Sequence, residues 1–145
     1  MKYVLDASVA LKWYLADRPD ELNVDEAIMI ADLAQRDEIE LYAPIHWSLE
    51  VVAVLSRYRP DLVGDAIVEL SDFSSRLVNT PDVLGHAAEM SATLNHHLFD
   101  TLYHAVALEV GATLVTADEH YFEKAKDLGH MQRLADFPLT GTAQP

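Results

Sequence analysis

Short apolar runs alternating with helical patterns predict an α/β fold, a single domain with a short central parallel sheet of about four or five strands and helices on both faces. Half of the 145 residues are hydrophobic, enough to bury a substantial core. Tyr3-Val4-Leu5, Leu41-Tyr42-Ala43 and Thr113-Leu114-Val115-Thr116 each read as a strand and precede a segment of helical periodicity. No internal repeat, low-complexity segment or linker divides the chain. The expected domain covers residues 1–137, and Pro, Thr, Gly and Gln after Phe137 predict a flexible tail at 138–145.

In order, strand Tyr3–Leu5 leads into a helix over Ala7–Leu15. Apolar residues at Ile28, Ala31 and Ala34, with Ile30 and Leu33 beside them, predict a second helix over Val24–Gln35. Leu41–Ala43 is the second strand. Pro44 suits the first turn of the helix after it, and Pro60 limits that helix at its far end. Asp61–Phe73 is a weaker helix, interrupted by Gly64, and Leu77-Val78 a short strand. Thr80-Pro81-Asp82 supplies a cap, a proline at the first helical position and an acid in the first turn, for a helix running to about Leu94. Asp100 or Thr101 opens the next helix, which Gly111 closes. Thr113–Thr116 is the clearest strand, Glu119–Leu128 a final helix stopped by Gly129, and Met131–Leu134 an edge strand.

The absence of cysteine excludes a disulfide framework and thiolate chemistry, and fits a reducing cytoplasm. No apolar run approaches the roughly 20 residues that span a bilayer, and Asp6 interrupts any signal-peptide core, so a soluble, cytoplasmic protein is expected. Lys and Arg total 10 against 24 Asp and Glu, a net charge of -14. Proteins that grip nucleic acid by charge alone have the opposite balance. An acidic chain fits bound cations or a basic protein partner. Acids in solvated runs, such as Asp17, Asp20 and Glu21, require no function; those set among apolar residues do.

Asp6 follows the first strand and Asp118 follows Thr113–Thr116 by one residue, so both should emerge where open parallel sheets bind ligands, beyond the carboxyl ends of strands. Taken singly, Asp6, Asp100 and Asp118 are each explained as helix caps. Glu50 is not. It falls within Ile45–Leu55 with Trp47, Ala53 and Val54 as its i-3, i+3 and i+4 neighbours, and a carboxylate on such a face needs a cation partner, a proton or a metal. A salt bridge to an Arg or to Lys12 is the simplest alternative. Four converging carboxylates repel one another until a divalent cation relieves them. All-oxygen ligands favour Mg²⁺ or Mn²⁺, which can hold a phosphate oxygen and acidify water for phosphodiester hydrolysis. A rival stripe, His97, Asp100 and His104, could bind zinc or iron. There is no Gly-x-Ser-x-Gly elbow, and neither a Gly-x-x-x-x-Gly-Lys nor a Gly-x-Gly-x-x-Gly loop.

The opening Tyr3-Val-Leu-Asp6-Ala-Ser8, the apolar helix from Pro44 through Glu50 to Leu55, and Phe99-Asp100-Thr-Leu-Tyr103 continuing to Thr116-Ala-Asp118 resemble the PIN-domain family, in particular the toxin ribonucleases of VapBC-type toxin–antitoxin pairs. The resemblance extends to about Lys126. It implies an Mg²⁺- or Mn²⁺-dependent endoribonuclease in which Asp6, Asp100 and Asp118 hold the ion. Glu50 completes the cluster and orients or deprotonates water, while Thr116 and Ser8 orient an acid or the phosphate. It implies a homodimer and a small antitoxin whose basic C-terminal segment wraps the nuclease. An RNA-processing nuclease without an antitoxin and a non-catalytic binding module are the alternatives. Lys12, Arg57, Arg59, Lys124 and Lys126 are the cations to grip RNA, and Trp13, Trp47 and Tyr103 the aromatics to stack on it or to fill the core.

Overall fold

A computed structural model describes residues 1–73 and 75–139. Five strands, β1 (Lys2–Leu5), β2 (Glu40–Ala43), β3 (Ser75–Leu77), β4 (Thr113–Thr116) and β5 (Met131–Arg133), form one parallel sheet in the order β3-β2-β1-β4-β5. Seven α-helices among the described residues connect or cover them: α1 (Ala7–Tyr14), α2 (Val24–Gln35), α3 (Trp47–Tyr58), α4 (Val63–Asp72), α5 (Pro81–Leu94), α6 (Leu98–Val110) and α7 (Glu119–Ala125). The expected α/β fold with helices on both faces is therefore present.

Side-chain alternation sorts the core into two layers. Val4 and Leu114 face α3, α5 and α6 through Val51, Leu55, Val83, Tyr103 and Val106. Tyr3, Leu5 and Val115 face the other way, onto Ala27, Ile30 and Leu33 of α2. Helix α1 lies between the layers, with Ala7 and Ala10 in the first and Val9 in the second.

Several boundaries differ from expectation for local reasons. Pro44 does not open α3; its carbonyl accepts the Trp47 amide at 3.2 Å in a turn, and the helix starts at Trp47. Gly64 does not break α4, because it falls in the first turn, after a 3₁₀ turn at Pro60–Leu62. Helix α6 starts at Leu98, so Asp100 and Thr101 lie inside it. The last helix ends at Ala125 and tightens into a 3₁₀ turn, closed at Gly129, whose φ of 76° suits a residue without Cβ. Gly111, with φ 70°, caps α6 as expected. Of the expected tail at 138–145, residues 140–145 lie outside those described.

The strand order fixes where a ligand can enter. From central β1 the chain builds outward through β2 to β3, then returns to the opposite flank of β1 as β4. The reversal opens a crevice at the carboxyl ends of β1 and β4.

Candidate active site

Asp6 and Asp118 stand at that crevice, each as the N-cap of the helix after its strand. Asp6 Oδ1 accepts the Ser8 amide at 3.0 Å and also the Ser8 hydroxyl. Its Oδ2 accepts the hydroxyl of Thr116, a buried side chain at the end of β4. Thr116 Oγ1 in turn accepts the Asp118 amide at 3.0 Å, and Ser8 Oγ accepts the Ala117 amide at 3.2 Å. Asp118 Oδ1 accepts the Tyr121 amide at 3.0 Å. The two strand–helix turns are thus tied together through Ser8 and Thr116. Capping and convergence are not rival accounts here: one carboxylate does both.

Asp100 is not a cap. It sits in the first turn of α6 and its Oδ2 lies 2.8 Å from His96 Nε2, while Thr101 donates to the Ala87 carbonyl. One ligand atom each from His96, Asp100 and Asp118 falls within a 4.8 Å group, a spacing that a divalent cation can bridge. His96 is the residue that sequence reasoning missed. The neighbouring His97 heads the expected stripe, yet His97 is exposed, and His104 is buried with its nitrogens against Tyr121 Oη at 3.0 Å and the Gly129 carbonyl at 2.8 Å. Burial pushes the His104 pKa down. The zinc or iron stripe is a structural histidine plus an exposed neighbour. The left-handed Asn95 that ends α5, at φ 50°, and the backbone bond from His96 to Ser91 turn His96 inward.

Glu50 lies in the first turn of α3 rather than mid-helix, because the helix begins three residues later than Pro44. The buried stripe of α3 is Trp47, Val51 and Leu55, and Glu50 lies at its rim, with its side chain 33% exposed. Lys12, the cation proposed to neutralise it, pairs with Glu21 at 3.0 Å. Glu50 Oε1 approaches His46 Nε2 at 3.0 Å, but that nitrogen is also 2.8 Å from the Phe99 carbonyl, and a proton directed there leaves the carboxylate without a donor. Glu50 Oε1, His46 Nδ1 and Tyr103 Oη are buried atoms with no hydrogen-bond partner.

The electrostatics reflect this crowding. Burial is the largest influence on Asp6; bonds from Ser8 and Thr116 oppose it, repulsion from Asp100 and Asp118 adds to it, and the carboxyl is pushed up to about 6. The phenol of Tyr103 is held strongly protonated, first by burial and then by Glu50, Asp6 and Asp100. Tyr121 is raised by burial and by Asp100, Asp6 and Asp118. Asp6 and Asp100 contribute to both shifts, though the two tyrosines lie on different helices. A buried carboxyl crowded by two further acids, beside a Glu50 oxygen left unsatisfied, is the donor set a hard divalent cation fits.

No curated protein matches the chain in sequence. Among solved structures, a toxin–antitoxin complex from Klebsiella pneumoniae is similar at TM-score 0.67 and 13% identity, over 91% of this chain and 97% of that one. VapBC-1 from nontypeable Haemophilus influenzae is similar at 0.66 and 19%, over 94% and 100%. VapBC2 from Rickettsia felis, bound to a promoter DNA fragment, is similar at 0.63 and 14%, over 92% and 98%. At these identities the likeness is one of fold. The family model described as PIN domain matches residues 3–128, which takes in all four acids, both tied turns and the crevice between β1 and β4. PIN domains are in general nucleases, and this chain belongs to the PIN-domain family.

Proposed function

We propose that the protein is an Mg²⁺- or Mn²⁺-dependent endoribonuclease and the toxin of a toxin–antitoxin pair. The observation that carries the nuclease reading is the joining of Asp6 and Asp118 through Thr116 beside Asp100, at the reversal of the sheet. Asp6, Asp100 and Asp118 would hold the ion, with His96 backing Asp100. When bound, the ion supplies positive charge against the phosphate oxygens and acidifies water. Thr116 and Ser8 fix the Asp6 carboxylate in one orientation, so its geometry is set before substrate arrives. Glu50 Oε1, which accepts no hydrogen bond, would take the proton of the attacking water. In-line attack at phosphorus then leaves a 5′-phosphate and a 3′-hydroxyl.

The toxin reading is supported by the fold's likeness to structures described as toxin–antitoxin and VapBC complexes. A cavity of about 510 Å³ between α1, α2 and α4 has Trp13, Ala31 and Phe73 in its lining and the acids Asp37, Glu69 and Asp72 at its edge. It suits an antitoxin segment with apolar anchors and Arg or Lys. We place the protein in the cytoplasm as a homodimer; no helix among the described residues is long and apolar enough to cross a membrane. The second reading, an RNA-processing nuclease without an antitoxin, shares the same site.

The test is cleavage of structured RNA by the purified protein with Mn²⁺, Mg²⁺ or neither. Activity that needs the ion and disappears in Asp6→Asn is expected; undiminished cleavage by that variant contradicts the site. Expression alone and with the neighbouring open reading frame separates the readings. Growth arrest only without the neighbour, relieved by Asp6→Asn, is the toxin outcome. Harmless expression of an active nuclease leaves the processing enzyme.

A further inference from the structure

The cations of this chain are unevenly committed. Of its ten Lys and Arg residues, Lys12, Arg36, Arg59, Arg76, Lys126 and Arg133 each lie against a carboxylate. Among the described residues, Lys2, Arg18, Arg57 and Lys124 do not. Lys2 donates to the Val110 carbonyl at the amino end of the sheet, and Arg18 and Arg57 flank the Tyr58 ring. Lys124 is the one of the four that borders the acidic site.

It lines an open cavity of about 450 Å³ together with Ser91, Asn95, His96, His97 and His120. No carboxylate belongs to that lining, in a chain whose net charge is -14. His96 joins the cavity to the acids: its side chain is 8% exposed, Nε2 lies 2.8 Å from Asp100 Oδ2, and Nδ1 lies 3.4 Å from Lys124 Nζ. An ammonium can only donate, so Nδ1 accepts, and Nε2 carries the proton shared with Asp100. Lys124 Nζ also donates to the Asn95 carbonyl at 2.9 Å, which leaves one of its three N–H groups for the cavity. His97 and His120 are exposed and, among the described residues, tied to no carboxylate. A directed ammonium, two open imidazoles and an amide, with no acid among them, suit an anion with several acceptor oxygens.

We propose that Lys124, His97 and His120, held in place by His96 and Asn95, form a subsite for an RNA backbone phosphate flanking the one that is cut. The inference rests on the nuclease reading. The strand runs from this cavity onto Asp100 and Asp118, so one local patch, rather than overall charge, holds a polyanion on an acidic protein. Such a subsite reads the phosphate backbone, and base identity must be read elsewhere.

The experiment follows the imidazole signals of the seven histidines by NMR while uridine 3′,5′-bisphosphate or inorganic phosphate is added to the metal-free protein. With the bisphosphate, His97 and His120 are expected to shift along one binding curve while His86 and His130 stay fixed. Lys124→Ala should weaken that curve about tenfold and Lys124→Arg should keep it within about threefold, since charge is retained. The buried His104 signal reports an intact fold in each variant. Unmoved His97 and His120 signals, or a curve that Lys124→Ala leaves unchanged, overturn the subsite, as does equal affinity for inorganic phosphate. RNA cleavage separates the two readings. Full kcat/KM in Lys124→Ala overturns the subsite and leaves the nuclease standing. Bisphosphate binding without RNA cleavage by the wild type under any divalent ion overturns the nuclease reading, and the assignment to an RNA phosphate with it.

Discussion

The two halves of the acidic site are built on opposite principles. On the sheet side, the groups of Asp6, Ser8, Thr116 and Asp118 named above all have partners, and two turns more than a hundred residues apart in sequence hold one another. On the helix side, Glu50, His46 and Tyr103 bring three buried polar atoms together and satisfy none of them. A satisfied knot gives fixed geometry; an unsatisfied one stores affinity for whatever supplies the missing partners. Under the proposed function, positioning falls to the strand ends and proton transfer to Glu50 of α3.

The largest expected effect comes from cutting the satisfied half at its centre. Asp6→Asn should lower RNA cleavage by about a thousandfold or more, because it removes ligand charge while keeping shape. The metal-free variant should nevertheless melt at or above the wild-type temperature, since repulsion from Asp100 and Asp118 is gone. A variant that is both inactive and clearly destabilised would mean that Asp6 serves mainly as a cap.

Thr116→Val tests the knot without touching a carboxylate. It strands the Asp118 amide and frees Asp6 Oδ2, so stability should fall by about 1–3 kcal/mol and cleavage by a further factor of tens, measured by urea denaturation and initial rates. Full activity would place the orienting role elsewhere.

The third outcome concerns pH. Asp6 ionises near 6 in the metal-free fold against about 4 in the unfolded chain, so the folded state binds more protons between those values. Stability without metal should therefore be highest below pH 4 as far as this group is concerned, and its contribution should fall as pH rises through 6. The sign reverses for cation binding, which needs the carboxylate: the rise in Tm on adding Mn²⁺ should be larger at pH 7 than at pH 5. Calorimetry at the two pH values, with Asp6→Asn as reference, reads both signs.

The smallest effect belongs to the unsatisfied half. Tyr103→Phe removes a buried hydroxyl that sits near Glu50 without a well-formed hydrogen bond, so stability should stay within about 1 kcal/mol of wild type. Cleavage should fall only severalfold if the phenol steadies Glu50. A loss of several kcal/mol would show that this hydroxyl has a structural partner.

Most of the architecture was legible because periodicity reports burial directly. The α2 boundaries coincide with Val24–Gln35, and the strand at Thr113–Thr116 stands where its apolar run lies. Helix starts were harder. Pro44 and Asp100 both look like residues that open a helix, yet α3 starts after the first and α6 before the second, because turns at 44–47 and 97–100 close through backbone bonds that leave no composition signal. Among the site residues, Asp6 and Asp118 could be placed from strand ends alone. The inward turn of His96 could not. It depends on a left-handed Asn95 and a carbonyl three turns along α5, and the only local hint was an Asn followed by two histidines. Lys12 illustrates the opposite error: it was a candidate salt-bridge partner for Glu50, but Glu21 was the carboxylate within reach.

The order of strands across the sheet also has a meaning in time. β1 precedes the other four strands in the chain and sits in the middle, yet its neighbour on one side, β4, starts only at Thr113. A growing chain can pair β1 with β2 early while the other edge of β1 stays open. Until β4 has emerged, Asp6, Glu50 and Asp100 exist without Thr116 or Asp118, and nothing joins them. A product cut short before that strand would display an unpaired central edge, a hazard for aggregation, and would lack Thr116 and Asp118. The four carboxylates of the candidate site can therefore converge only after β4 has been made.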